Sequence, residues 1–210
     1  MNIVLRSLRP TFLPKIGSQI WGREVELPAG TFINMAASSG KGKTSLVSIL
    51  YGLLKDYQGS LQFDHQDISS FGRRRWALLR QRHLSLVFQD LRLFSHLTCL
   101  ENVILNAGQT GTADRDRIEA AFHSLGVQDL RDAPAGRCSQ GEQQRIAFIR
   151  AISQPFAWIL LDEPFSHLDE ARVEAMRDLL LDACRRTRGG LILTSLEAST
   201  LLPFHETYSL

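Results

Sequence analysis

Cysteine is scarce in this sequence. Its three copies, Cys99, Cys138 and Cys184, are odd in number and far apart. They suggest neither a disulfide framework nor a zinc site, and a reducing cytosol is the expected compartment. An excess of one charge is missing too. Lys and Arg number 24 against 22 Asp and Glu, a formal net charge of +2, too small to argue for nucleic acid or another polyanion as partner. No apolar run approaches the roughly 18–20 residues that cross a bilayer. The N-terminus Met1-Asn2-Ile3-Val4-Leu5-Arg6 lacks the apolar segment and cleavage site of a signal peptide. Any membrane role is therefore expected to run through a partner. Repeats, low-complexity tracts and long linkers are also absent. What is present is 210 residues, 44% hydrophobic and 22% charged, enough for one compact unit with a sizeable core.

Buried strands are predicted at Thr31–Ala36, Leu84–Phe88, Phe156–Leu161 and Leu191–Thr194. Helices are predicted after the first of these (Thr44–Leu50), over Thr112–Leu125, from a Ser cap at Ser139 to Ile152, and over Glu170–Arg186, the last ended by Gly189-Gly190. Strands alternating with helices predict a layered α/β fold with a largely parallel sheet. The region from about 90 to 156 lacks clear strands and reads as a helical insertion.

Ala37-Ser38-Ser39-Gly40-Lys41-Gly42-Lys43-Thr44, followed by Ser45, lies between a predicted strand and a predicted helix. Glycines let such a loop curl so that its N–H groups converge on phosphate oxygens, and the helix N-terminus adds partial positive charge. In that arrangement Lys43 reaches the β- and γ-phosphates and the Thr44 hydroxyl ligates Mg²⁺. The strict pattern has Gly where this chain has Ala37. Further on, Trp158-Ile159-Leu160-Leu161-Asp162-Glu163-Pro164 ends a buried strand in two carboxylates, at the sheet end that carries ligands in parallel α/β proteins. Asp162 is a candidate Mg²⁺ ligand. Glu163 is a candidate base for an attacking water.

With Cys138-Ser139-Gln140-Gly141-Glu142-Gln143-Gln144-Arg145 ahead of those acids, the chain resembles the ATP-hydrolysing cassettes of ABC transporters over nearly its whole length. Val87-Phe88-Gln89-Asp90 resembles the family's Q-loop, Ser166-His167-Leu168-Asp169 its D-loop, and Gly59-Ser60-Leu61-Gln62-Phe63 the hairpin after the first helix. The resemblance implies a P-loop NTPase (RecA-like) core, at 1–89 and 157–210, with an antiparallel β subdomain and a helical signature subdomain at about 90–156. It implies ATP and Mg²⁺ as ligands, with Gln89 beside Thr44 and Asp162 at the metal. It also implies that Ser139, Gln140, Gly141 and Glu142 face the γ-phosphate held by a second ATPase subunit, with Asp169 nearby. Integral-membrane permease subunits are the further partners, and the inner face of the cell membrane is the implied location. For the adenine-stacking aromatic, Phe12 and Trp21 are both at a plausible distance upstream.

Departures from the family pattern carry expectations of their own. Gln140 stands where Gly is usual and Cys138 where Leu is usual. Ser195 follows Thr194 where a switch histidine would stand. Serine is shorter and cannot carry positive charge, so slow hydrolysis is expected. The run from Val87 to Thr98 with Glu101-Asn102-Val103 resembles the ATPases of lipoprotein-release, macrolide-efflux and cell-division complexes, and, with the sequence ending soon after Leu193, no added regulatory domain is expected. The basic stretch Arg73-Arg74-Arg75 with Arg80 and Arg82 fits a solvated helix face or contact with anionic headgroups or an acidic permease loop. The alternative function is a soluble ATPase of the same family acting on a non-transport partner.

Overall fold

The computed structural model describes residues 1–14, 17–111, 114–165 and 168–210, with the backbone alone for 106–110. The chain opens with β1 (Ile3–Pro10) and β2 (Glu24–Leu27), enters β3 (Phe32–Ala36), loops into α1 (Lys43–Leu50) and returns as β4 (Tyr57–Phe63) and β5 (Gln66–Asp67). Four of these strands make an antiparallel sheet in the order β2-β1-β4-β5. The β4–β5 turn, Asp64-His65, has φ of 45° and 66°, which matches a two-residue hairpin to the twist of its strands. The period-two signal fails in β1. The register slips between Arg6 and Arg9, and Ser7 takes a φ of 50°. This bulge lets Leu5 and Leu8, three apart, both be fully buried.

Beyond the hairpin come α2 (Arg73–Arg82) and β6 (Leu84–Val87), then α3 (Cys99–Thr110), α4 (Arg115–Ser124) and α5 (Gln140–Ile152). The chain finishes with β7 (Trp158–Asp162), α6 (Glu170–Thr187), β8 (Gly190–Ser195) and β9 (Glu206–Ser209). The second sheet is parallel, in the order β6-β7-β8-β3-β9. Its inner strands β6, β7, β8 and β3 are buried and mainly apolar because both faces are covered, whereas the edge strand β9 is polar and mostly exposed. Trp158 and Leu160 of β7, with Ile192 of β8, pack in a core shared with α1 and the antiparallel sheet. Ile159, Leu161, Leu191 and Leu193 pack in a second core with Phe122, Phe148, Met176 and Leu180 of α4, α5 and α6. Alternation along a strand thus assigns each residue to one core or the other.

The predicted α4 begins later than its sequence pattern. Asp114 caps it by accepting from the Arg117 N–H, and Thr112 and Ala113 lie outside the described residues. The end of α6 corrects the expectation that Gly189-Gly190 stops it. Arg188 takes the left-handed capping position at φ 53°. The two glycines are required by packing instead: a Cβ on Gly189 would sit 2.6 Å from the Phe156 ring, and one on Gly190 would sit 2.7 Å from Trp158 and 2.9 Å from the Thr31 carbonyl oxygen. Gly190→Ala should therefore overpack the sheet, at a cost of about 1–3 kcal/mol. Thermal unfolding should show Tm lower by roughly 2–12 °C; an unchanged Tm would mean the sheet yields freely at this point.

Candidate functional site

The loop joining β3 to α1 is built on its underside by Trp21. That ring is buried, and its Nε1–H donates to the Lys41 carbonyl at 3.0 Å. Gly42, which caps α1, has a φ of 95°, and a Cβ there would lie 2.5 Å from Leu13 and 3.1 Å from Trp21. Only glycine combines that backbone with that closeness. Ala37 differs: its backbone lies outside the left-handed region, so a methyl group fits, and its N–H donates to the Ser195 carbonyl at 3.0 Å. Burial leaves Trp21 no free face for a base. Phe12, at 60% exposure, presents its ring to solvent next to Leu13.

Lys43 is the first residue of α1 and is 6% exposed. Its ammonium donates to the Ala37 carbonyl at 2.7 Å and pairs with the Glu163 carboxylate at 3.1 Å. An anion entering the loop meets this cation directly. Glu163 follows β7 with a φ of 51°, a left-handed backbone that costs a non-glycine residue about 1–3 kcal/mol. The Glu163 N–H donates to the Thr194 hydroxyl at 3.3 Å.

Asp162, Thr44 and Gln89 come from three separate elements and line one cavity of about 450 Å³ with Ser48, Asp90 and Arg92. Strand parity explains why: Asp162 shares the face of Trp158 and Leu160, the face on which α1 lies. Its buried carboxylate accepts from the Thr194 hydroxyl at 2.6 Å. A hydroxyl, an amide oxygen and a carboxylate are the hard donors that suit Mg²⁺, which keeps several waters and takes its remaining ligands from phosphate. Among the described residues no group of three or more His, Cys, Asp or Glu could hold a metal by itself, so a cation here would lean on Thr44 and Gln89. The residues fit Mg²⁺ with a bound nucleotide.

Ser195 leaves the sheet on the other face. Its Oγ lies 2.8 Å from the Asn34 amide oxygen and 2.5 Å from the Glu197 carbonyl. With one proton to donate, the hydroxyl is committed to these neighbours. Ser195, Glu163 and Thr194 line a second cavity of about 260 Å³. Asn34, fully buried in the middle of β3, was not singled out in the sequence, although a polar residue inside an apolar strand was a visible signal. Thr194, as the support of Asp162, had no such signal, since only the pairing of β7 with β8 brings the two together.

Ser139, Gln140, Gly141 and Glu142 line neither cavity. They open α5, where Ser139 and Glu142 form a reciprocal capping box: the Ser139 N–H donates to the Glu142 carboxylate at 2.7 Å and the Glu142 N–H to Ser139 Oγ at 3.4 Å. The Ser139 backbone bond holds the Glu142 carboxyl below its ordinary value. Immediately before the cap, Cys138 and Cys99 place their sulfurs 3.5 Å apart as buried free thiols, and burial pushes Cys99 up to about 12. Asp169 caps α6, accepting from the Arg172 N–H at 3.0 Å. Of the sequence run read as a D-loop, Ser166 and His167 lie outside the described residues. Gln140, Ser38, Ser39 and Gly40 are exposed, and Lys41 and Ser45 partly buried.

Residues 22–166 match the family model described as ABC transporter. Two uncharacterised ABC transporter ATP-binding proteins of Mycobacterium tuberculosis strains are 32% identical over 185 residues, covering 87% of this chain and 56% of the relative; the chain thus spans about half the length of these relatives. The lipoprotein-releasing system ATP-binding protein LolD of Porphyromonas gingivalis is 34% identical over 190 residues, covering 88% of this chain and 85% of LolD. A bacterial ABC transporter cassette solved as a dimer superposes with a TM-score of 0.80 at 24% identity, covering 93% of this chain and 88% of that one, which shows the same fold. No helix among the described residues is long and apolar enough to cross a membrane. By the family match and these relatives, the chain belongs to the ABC transporter family as an ATP-binding cassette.

Proposed function

We propose that this cassette hydrolyses ATP in a dimer that drives integral-membrane permease subunits from the inner face of the membrane. The observation that carries this reading is the separation of the two half-sites. Lys43, Thr44, Gln89, Asp162 and Glu163 converge around the phosphate loop, whereas Ser139 to Glu142 open a helix that lines neither cavity. A second copy can close the site by presenting its own α5 N-terminus, whose N–H groups and partial positive charge favour an anion. To do so Ser139 would turn its hydroxyl from Glu142 to the phosphate. LolD, by its name, serves lipoprotein release, and another relative, from Escherichia coli, is named a thiamine import ATP-binding protein. The Q-loop run favours the lipoprotein-release type, working by force transmitted to a permease.

In the reaction, backbone N–H groups of the loop and Lys43 bind the phosphates, and Phe12 offers the exposed ring for adenine. Bound Mg²⁺ supplies charge neutralisation at the β- and γ-phosphates. Thr44, Gln89 and Asp162 would hold it, with Thr194 fixing the Asp162 rotamer. Glu163 swings from Lys43 to a water, takes its proton as the oxygen attacks the γ-phosphorus, and the bond to the ADP oxygen breaks. The left-handed backbone at Glu163 aims its carboxylate out of the strand end for this purpose. The segment 90–156 would act as the signature subdomain, with 1–89 and 157–210 as the core.

Position 195 supplies the test of turnover. The Ser195 hydroxyl is committed to Asn34 and Glu197, so Ser195→Ala should leave the steady-state rate within about twofold. Ser195→His, whose longer side chain can reach across the cavity that position 195 shares with Glu163, should raise it about tenfold or more by adding charge stabilisation near the γ-phosphate. The rates are to be compared for the chain alone and with its copurified membrane partner. No ATP turnover by the wild type in either setting would overturn the functional reading. Turnover without acceleration by histidine would show that position 195 does not limit the rate.

A further inference from the structure

Arg150 lies near the C-terminal end of α5 and is 8% exposed. Its Nη1 donates to the Arg92 carbonyl and its Nη2 to the Leu91 carbonyl, both at 2.7 Å. Those two acceptors belong to consecutive residues in the left-handed region, Leu91 at φ 57° and Arg92 at φ 47°. L-residues disfavour this conformation, and two in succession need outside support. The turn they close begins at Phe88, whose carbonyl accepts from the Leu91 N–H at 3.0 Å, so Gln89 and Asp90 form its corner. The other side of this loop is tied to the same helix. Ser85 of β6 donates to the Ala151 carbonyl at 2.7 Å, and Gln154 just past α5 donates to the Leu84 carbonyl at 3.2 Å. The segment carrying Gln89 is therefore fastened before and behind to one end of α5. The other end of that helix is Ser139, about 20 Å away at 1.5 Å per residue over its 13 residues.

We propose that Arg150 is a positioning residue: its guanidinium holds the Leu91-Arg92 turn so that Gln89 faces the metal and the γ-phosphate, and it makes that placement follow the movement of α5 and its Ser139 end. This rests on the reading of Gln89 given above. Helix movement at one end then resets the Gln89 amide at the other through a paired, planar donor. Lysine cannot reproduce that fork, although it keeps the charge.

The test is Arg150→Lys, read two ways. Backbone hydrogen exchange at the Leu91 and Arg92 amides should quicken about tenfold. The Mg²⁺ concentration for half-maximal ATP turnover should rise roughly fivefold, as lost charge-assisted bonds imply, while nucleotide affinity without Mg²⁺ stays within twofold. Adding Leu91→Gly should recover part of both effects, since glycine accepts the left-handed backbone. Leu91→Val, which leaves the buried arginine intact but resists positive φ, should shift Mg²⁺ dependence in the same direction and decides the matter if Arg150→Lys fails to fold. Unchanged exchange, or faster exchange with an unmoved Mg²⁺ dependence, would overturn the proposal. Gln89→Ala in the same assay separates the two levels. If it shifts the Mg²⁺ dependence and the Arg150 and Leu91 variants do not, the role of Arg150 alone fails. If none shifts it, the reading of Gln89 fails with it.

Discussion

Glu163→Gln should lower steady-state ATP turnover by about 10²–10⁴-fold, the range that a positioned general base supplies. Glutamine keeps the shape and hydrogen-bonding reach of the side chain but cannot accept the proton of the attacking water. Nucleotide affinity should stay within a few-fold, because the carboxylate is not among the groups proposed to bind phosphate. Releasing the anionic partner of Lys43, 3.1 Å away, should move it slightly toward tighter binding. With chemistry blocked, Mg-ATP should accumulate the closed dimer, seen by light scattering as a doubling of mass that ADP reverses. A variant that turns over ATP at the wild-type rate would remove Glu163 from the mechanism. One that is inactive yet strictly monomeric with Mg-ATP at high concentration, with and without membrane partner, would leave Glu163 in place and overturn the dimer.

Lys43→Ala should weaken ATP binding about tenfold or more, equivalent to roughly 1.5–3 kcal/mol for a hydrogen bond to a charged group. The side chain is 6% exposed and already oriented by the Ala37 carbonyl, so little rotamer freedom is lost when phosphate arrives. Removal also leaves the Ala37 carbonyl and Glu163 without this cation, and the loop itself loses a brace. Lys43→Arg is the control. It keeps the charge but is too bulky for the space between Ala37 and Glu163, so it should bind poorly as well. Titration of a fluorescent nucleotide checks both, and an affinity unchanged in Lys43→Ala would place the phosphates elsewhere.

The alternation of apolar strands and helices, the Gly/Ser/Lys loop and the acid pair are local features, readable because each rests on a fixed spacing. The helix cap at Ser139 was readable for the same reason, whereas the return bond that makes it a capping box with Glu142 was seen only in the structure. Other features escaped, besides Asn34 and Thr194. The strand β1 was hidden by its bulge at Ser7, which broke the alternation. The role of Trp21 under the phosphate loop was hidden because it depends on a contact with Lys41 across 20 positions. The support of the Gln89 turn by Arg150 was hidden because its donor and acceptors lie 58 and 59 positions apart.

Sequence alone therefore determined which chemical groups this protein can offer to phosphate and metal under the proposed function, and in which order they occur. A loop between strand and helix, and a carboxylate pair at a strand end, follow from backbone rules that act over a few residues. Tertiary structure alone decided which of those groups meet. The pairing of β7 with β8 sets Thr194 on Asp162, and strand parity turns Ser195 away from both, toward Asn34. Packing of α1 against one sheet face and α5 against the other draws Thr44, Gln89 and Asp162 to one cavity and leaves Ser139 outside it. The reason is that a side chain's direction is set by the sheet and helix it belongs to, and those are fixed only when the two cores close on opposite faces of the same strands.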